Sequence, residues 1–267
     1  MRGLAGLYAQ QFKTSLASML QYRAALVLWL IGHVLDPLIY LAVWTAVTRS
    51  GGGSVGGYTA AEFAAYFVIL MIVNHATFTW IMFEYEYRVR QGMLSFALLR
   101  PVHPIHADIA DNISYKLITL PLVMAAAALL AVIFRPAFHI VPWAAVAFVP
   151  ALLLAFAVRF MLEWTLALSA FWTTRVGAIN QAYFVAALFL SGQMAPLSLL
   201  PRPLQAAAAI LPFRWTTSFP VELLMGRLSF PQAATGLAVQ AAWLAVCLLL
   251  LRVIWRAGVR VYSAVGA

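Results

Sequence analysis

From Leu117 to Phe134 the chain reads LITLPLVMAAAALLAVIF, eighteen residues without a single charge. Lys116 stands immediately before this run, and Arg135-Pro136 closes it. A helix of that length rises about 27 Å, close to the ~30 Å hydrocarbon core of a bilayer. It has no polar face, so neither an amphipathic surface helix nor a half-buried strand explains it. The remaining sequence agrees. Of 267 residues, 64% are hydrophobic and 9% charged, with a mean hydropathy of +0.91. Soluble domains average about 45–50% apolar and about 25% charged residues. Too few charges remain to solvate a globular surface, which excludes an ordinary soluble domain. The sequence describes an all-α integral membrane protein, with 1–267 as one transmembrane domain.

Similar runs on either side predict further transmembrane helices at about Ala24–Val47, Glu62–Phe83, Pro142–Trp172, Ala178–Met194 and Gly236–Ile254, six in all with Leu117–Phe134. Ahead of them, Leu4, Leu7, Tyr8, Phe12, Leu16, Met19 and Leu20 recur at spacings of three and four. Arg2, Gln10, Lys13, Ser18 and Gln21 are mostly turned the other way, so segment 1–23 reads as an interfacial helix. Gln10, Gln11, Lys13 and Gln21 before the first apolar run argue against a cleavable leader, which leaves the first span as its own insertion signal.

Two connecting segments have a character of their own. Ser50–Gly57 is rich in glycine but lacks the Gly-Lys-Ser/Thr ending of a phosphate-binding loop, and a flexible hairpin explains it. Segment 195–230 carries Pro196, Pro201, Pro203, Pro212 and Pro220 with short apolar pieces between them. Such pieces are too short to span and too apolar for a solvated loop. Short re-entrant-type helices at the interface, or packed on the span ends, are expected there.

Seventeen Lys and Arg against eight Asp and Glu give a net charge of +9. In a soluble chain that excess suggests nucleic acid. In a membrane protein it marks cytoplasmic loops, and no nucleic-acid partner is expected. With a cytoplasmic N-terminus, the inner segments (Arg2 and Arg175 included) hold eleven of these residues and the outer ones five, Arg159 lying within a span. Both termini are therefore expected inside, with loop 84–116 facing the cytoplasm and 195–230 outward. The single cysteine, Cys247, sits in an apolar run and reads as a packing residue.

Residues able to carry chemistry are sparse. His103 and His106 are separated by Pro104, which breaks any regular metal-binding face, so no metal is expected. No Gly-x-Ser-x-Gly or His-Glu-x-x-His motif occurs, so an enzyme acting on lipid through Asn74, His75 or Glu84 lacks a nucleophile and base. No catalytic residue is assigned. Arg159 and Glu163 lie four apart on one helix face and are able to neutralise each other. They and Asp36 are the intramembrane polar residues, each consistent with helix packing or with a transport path. In loop 84–116, Gly92 precedes Met93-Leu94-Ser95-Phe96-Ala97-Leu98-Leu99-Arg100, and Pro101 stops the run. This is a short amphipathic helix, suited to docking in a partner's groove or to lying on the membrane.

On Gly92, Leu94, Leu98, Leu99, Arg100 and Pro101, together with Pro196, Pro201, Leu211, Pro212 and Phe213, the sequence resembles permeases of the type-2 ATP-binding-cassette (ABC-2) family. The likeness extends to a small six-span branch without a fused ATPase. The resemblance implies a coupling helix in Met93–Arg100 with Met93, Leu94, Phe96, Leu98, Leu99, Arg100 and Pro101 meeting the ATPase. It also implies outer gate helices around Pro196, Pro201, Pro212 and Phe213. The partners it implies are ABC ATPase subunits, a second permease in a homo- or heterodimer, and membrane lipid. ATP and Mg would bind to the ATPase subunit, this chain needing no cofactor. Export across the cell inner membrane is the expected activity. The absence of a Gly-x-x-x-x-Gly-Lys-Ser/Thr motif agrees that ATP is handled elsewhere. The alternative is a secondary transporter or channel independent of an ATPase, with Arg159, Glu163 or Asp36 essential.

Overall fold

The computed structural model describes residues 3–173 and 176–262. Arg2 of the expected interfacial helix and Arg175 of the expected turn lie outside them. The chain is helical almost throughout: α1 (Gly3–Gln21), α2 (Arg23–Ser50), α3 (Ala60–Thr77), α4 (Ile81–Arg90), α5 (Met93–Leu98), α6 (Ile105–Phe134), α7 (Pro142–Ala167), α8 (Gly177–Leu190), α9 (Arg202–Ile210), α10 (Pro212–Thr216), α11 (Ser218–Leu224) and α12 (Phe230–Val261). A two-stranded antiparallel ribbon pairs β1 (Ser54–Val55) with β2 (Tyr58–Thr59). Its turn is made by Gly56 and Gly57, both at positive φ, which explains the glycine-rich loop.

Helix starts follow local chemistry. The Thr59 hydroxyl accepts from the Glu62 backbone N–H while the Glu62 carboxylate accepts from the Thr59 N–H, a reciprocal cap that opens α3. Ser229 and Gln232 do the same for α12, with Pro231 in its first turn. The helix α7 is the hub of the fold. It packs against α3, α4, α10, α11 and most extensively α12.

Among the described residues, α2, α3 with α4, α6, α7 and α12 make five long apolar passes, and α8 is a sixth, shorter one. One end gathers α5 and the C-terminal end of α12, where Ser95 and Tyr262 hydroxyls lie 3.0 Å apart. Here too α1 lies along the first half of α6, with Ser15 donating to Asp111 at 2.6 Å and Tyr8 against His106 at 3.4 Å. The other end holds the ribbon, α9 and Arg227, whose guanidinium donates to Gly57 and Glu62.

Three expected boundaries move. Five crossings are long and apolar enough to span, whereas the fifth, α8, has only 14 residues and rises about 21 Å. It stops because Gly192 turns the chain at φ +85° and fits against Tyr66, whose hydroxyl donates to the Gly192 carbonyl at 2.7 Å. A methyl group there would meet that hydroxyl, so only glycine serves. The second crossing is broken: α3 ends at Thr77 and α4 begins at Ile81. The segment expected as cytoplasmic loop 84–116 is mostly helix, because α4 runs to Arg90 and α6 starts at Ile105, eleven residues before Lys116.

Candidate functional site

The break at Phe78-Thr79-Trp80 contains neither glycine nor proline. Phe78 is extended at φ −57°, ψ 141°, so its carbonyl leaves the helical ladder and must find a donor. Lys116 supplies it. Its ammonium donates to the Phe78 carbonyl at 2.7 Å and to Asn112 Oδ1 at 3.3 Å, and lies 4.7 Å from the centre of the Phe156 ring.

The opposite side of the break is held from α7. Arg159 Nε donates to Glu163 Oε1 at 2.8 Å, while its other nitrogen reaches Asn74 Oδ1 at 2.9 Å and Thr77 Oγ1 at 3.1 Å. Glu163 is fully buried and accepts further from the Thr79 and Tyr183 hydroxyls. His75 pairs with Thr119 at 2.8 Å. The expected Arg159–Glu163 pair is thus present, and it clasps the interrupted backbone of the second crossing. Burying two charges is tolerable here because each is met by several oriented hydrogen bonds.

Asp36 is not part of this network. It stands exposed halfway along α2, and no hydrogen bond or ion pair holds it among the described residues.

Two turns beyond the break, Arg88 bridges two carboxylates, Glu84 on its own helix and Asp108 on α6. Asp108 is 1% exposed and also accepts from Trp164 Nε1 at 2.9 Å. These bonds fasten the α4–α5 hairpin to α6 and α7. Gly92, in the left-handed region at φ +68°, turns the chain into α5. Leu94 is buried, and Ala97 and Leu98 pack half-buried on the same apolar cluster. Met93, Phe96 and Leu99 face outward, 50%, 72% and 83% exposed. Arg100 and Pro101 are exposed beside them. Leu94 and Leu98 therefore belong to the inner face of the hairpin, whereas Met93, Phe96 and Leu99 form its outer face.

Below α5, His103 lies 4.4 Å from Trp255 and 5.6 Å from Trp164, ring centre to ring centre. Its Nδ1 accepts from the Ile105 N–H at 3.2 Å. Burial, and then His106 nearby, hold this imidazole below its usual pKa.

At the far end, the proline-rich segment forms α9, α10 and α11. Pro196 and Pro212 are buried, Pro201 is exposed at the start of α9, and Phe213 packs half-buried with its ring 5.6 Å from that of Tyr183. Gln240 of α12 secures these short helices by donating to the Trp215 and Ala151 carbonyls at 2.8 and 3.0 Å.

Lys116, Thr79, Tyr183, Asp108 and Arg88 carry this arrangement without having been singled out from the sequence. Lys116 reads as the last charge of a loop, and only its position just outside a charge-free run hints at burial.

Residues 34–266 match a family described as ABC-2 family transporter protein. No curated protein matches the chain, and no solved structure does. The family match runs from the middle of α2 through α12 and so includes the break, the hairpin and the proline-rich helices. The chain is accordingly a multi-pass transport subunit, the permease component of an ABC transporter, and its family implies association with ABC ATPase subunits. It belongs to the ABC-2 transporter family.

Proposed function

We propose that this permease is half of the membrane channel of an ATP-driven exporter, coupled through α5 to separate ATPase subunits. The exposure pattern of α5 carries the reading. Three large apolar side chains, Met93, Phe96 and Leu99, face outward on a hairpin whose inner side is anchored by Leu94 and the Arg88–Asp108 bond. An apolar ridge on a fixed base is what a protein groove receives. Arg100 and Pro101 flank the ridge. ATP and Mg bind to the partner, in keeping with the missing phosphate-binding motif.

Pairing with a second permease is supported by Asp36. A carboxylate halfway along a spanning helix costs about 2.5–3.5 kcal/mol against lipid, so protein or water is expected to cover it. An α2 face bearing Ile31, Leu35, Ile39 and Val43, all exposed, surrounds it. The second subunit, identical or not, would lie there. The end with α1, α5 and both termini faces the cytoplasm in this reading, following the excess of Lys and Arg on the inner segments. The helices around Pro196, Pro201, Pro212 and Phe213 then cap the outer end of the path in the cell inner membrane. Export follows the family resemblance.

Co-expression with its ABC ATPase and reconstitution in nanodiscs tests the reading. ATP hydrolysis by the complex should fall to that of the free ATPase when Phe96 and Leu99 both become Asp. Unaltered hydrolysis and unaltered co-purification would remove the coupling role of α5.

A further inference from the structure

Beside the break in the second crossing lies a cavity of about 600 Å³, walled by Trp29, Phe78, Trp80, Phe83 and Tyr115, with Glu84 and His33 as its polar members. A volume of this size accommodates a drug-sized molecule. The cavity lies between α2, the α3–α4 break and α6, within a single chain. None of its lining residues belongs to α5.

Its electrostatics are uneven. Arg88 is shared by two carboxylates, Glu84 and Asp108, so this trio carries one surplus negative charge. Asp108 is sealed off at 1% side-chain exposure, whereas the Glu84 side chain is 35% exposed and lines the cavity. The indole N–H of Trp80 donates to Glu84 Oε2 at 3.1 Å, which fixes the carboxylate one turn from the aromatic wall. The nearby cations are engaged elsewhere: Lys116 holds the Phe78 carbonyl, and Arg159 is paired with Glu163. Trp29 is 70% exposed and makes no ring stack among the described residues, so its face is open. Aromatic faces and a carboxylate together attract an organic cation, and the apolar wall favours one with a hydrophobic body.

We propose that this cavity binds a lipophilic organic cation, its apolar body among the aromatic rings and its charge against Glu84. This deepens the transport reading by naming the class of molecule admitted to the permease. Binding is nonetheless measured without ATPase or ATP, so a failed transport assay and a failed binding assay are separate results.

The test uses the full chain in zwitterionic phosphatidylcholine nanodiscs, with empty nanodiscs as the partition blank. The probes are a brominated alkyltrimethylammonium and its neutral tert-alkyl isostere, read by quenching of tryptophan fluorescence. The cation should bind at least about tenfold more tightly than the isostere. Glu84→Gln should abolish that preference, and Trp29→Leu, which keeps an apolar side chain on an exposed site, should weaken the cation about threefold. Equal binding of the two probes to the unaltered protein overturns the proposal, as does a preference that survives Glu84→Gln. Should Glu84→Gln fail to fold, the isosteric pair on the unaltered and Trp29→Leu proteins decides alone.

Discussion

Lys116 of α6 donates to the backbone carbonyl of Phe78 at 2.7 Å, so one side chain closes the gap left by a helix that stops in mid-crossing. Replacing it with Met keeps the apolar stem and removes the donor. The orphaned carbonyl then costs about 1–3 kcal/mol. Thermal unfolding in detergent should register the loss. A melting temperature equal to that of the unaltered protein would mean that another donor serves the break.

Arg159 and Glu163 should behave as a unit. Glu163→Leu alone strands a buried guanidinium and removes the acceptor for Thr79 and Tyr183, at about 3–5 kcal/mol. Arg159→Met together with Glu163→Leu should be milder than either single change, because no uncompensated charge remains. A double-mutant cycle on unfolding checks this, and simple additivity would contradict the pairing.

The two faces of α5 should separate coupling from folding. Phe96→Asp with Leu99→Asp places charge where side chains are already exposed, leaving the melting temperature nearly unchanged while coupled ATP hydrolysis is lost. Leu94→Asp buries an unpaired carboxylate and should lower expression and stability instead. Size-exclusion profiles beside hydrolysis rates distinguish the two outcomes.

Acidification should loosen the loop beneath α5. The His103 pKa is lower in the fold than in the unfolded chain, so the unfolded chain binds more protons. The stability it contributes is complete above pH ~6.5 and declines as pH falls below that value. Protonation also removes the Nδ1 lone pair that accepts from Ile105. His103→Asn, which retains an acceptor, should flatten the fall in melting temperature between neutral and mildly acidic pH. An identical fall in both proteins would place the sensitivity at another group.

The apolar middles of the crossings were legible in the sequence, since membrane solvation dictates their composition, but their ends were not. Leu117–Phe134 falls inside α6 and Gly236–Ile254 inside α12, each helix running on past its apolar stretch. Legible too were a helix over the N-terminal segment, the α5 element bounded by Gly92 and Pro101, and the Arg159–Glu163 spacing. The interruption at Phe78–Trp80 was not, because His75-Ala76-Thr77-Phe78-Thr79-Trp80 contains no residue that refuses a helix. Donors from other helices, Lys116 and Arg159, stabilise it, and such tertiary partners leave no trace in local spacing. The early end of α8 was hidden for the same reason, resting on the fit of Gly192 to Tyr66. In the α5 hairpin, the sequence marked the apolar residues but not which of them turned inward, since one and a half turns are too few to define a face.

Three non-helical residues between α3 and α4 make the second crossing a knee rather than a piston rod. A displacement imposed at Phe96 has no continuous shaft along which to reach Tyr66 and the opposite end. It leaves sideways instead, through Arg88 and Asp108 into α6 and through Trp164 into α7. A load borne by α5 therefore meets α6 and α7, through the Arg88–Asp108 and Asp108–Trp164 bonds, before it meets α3.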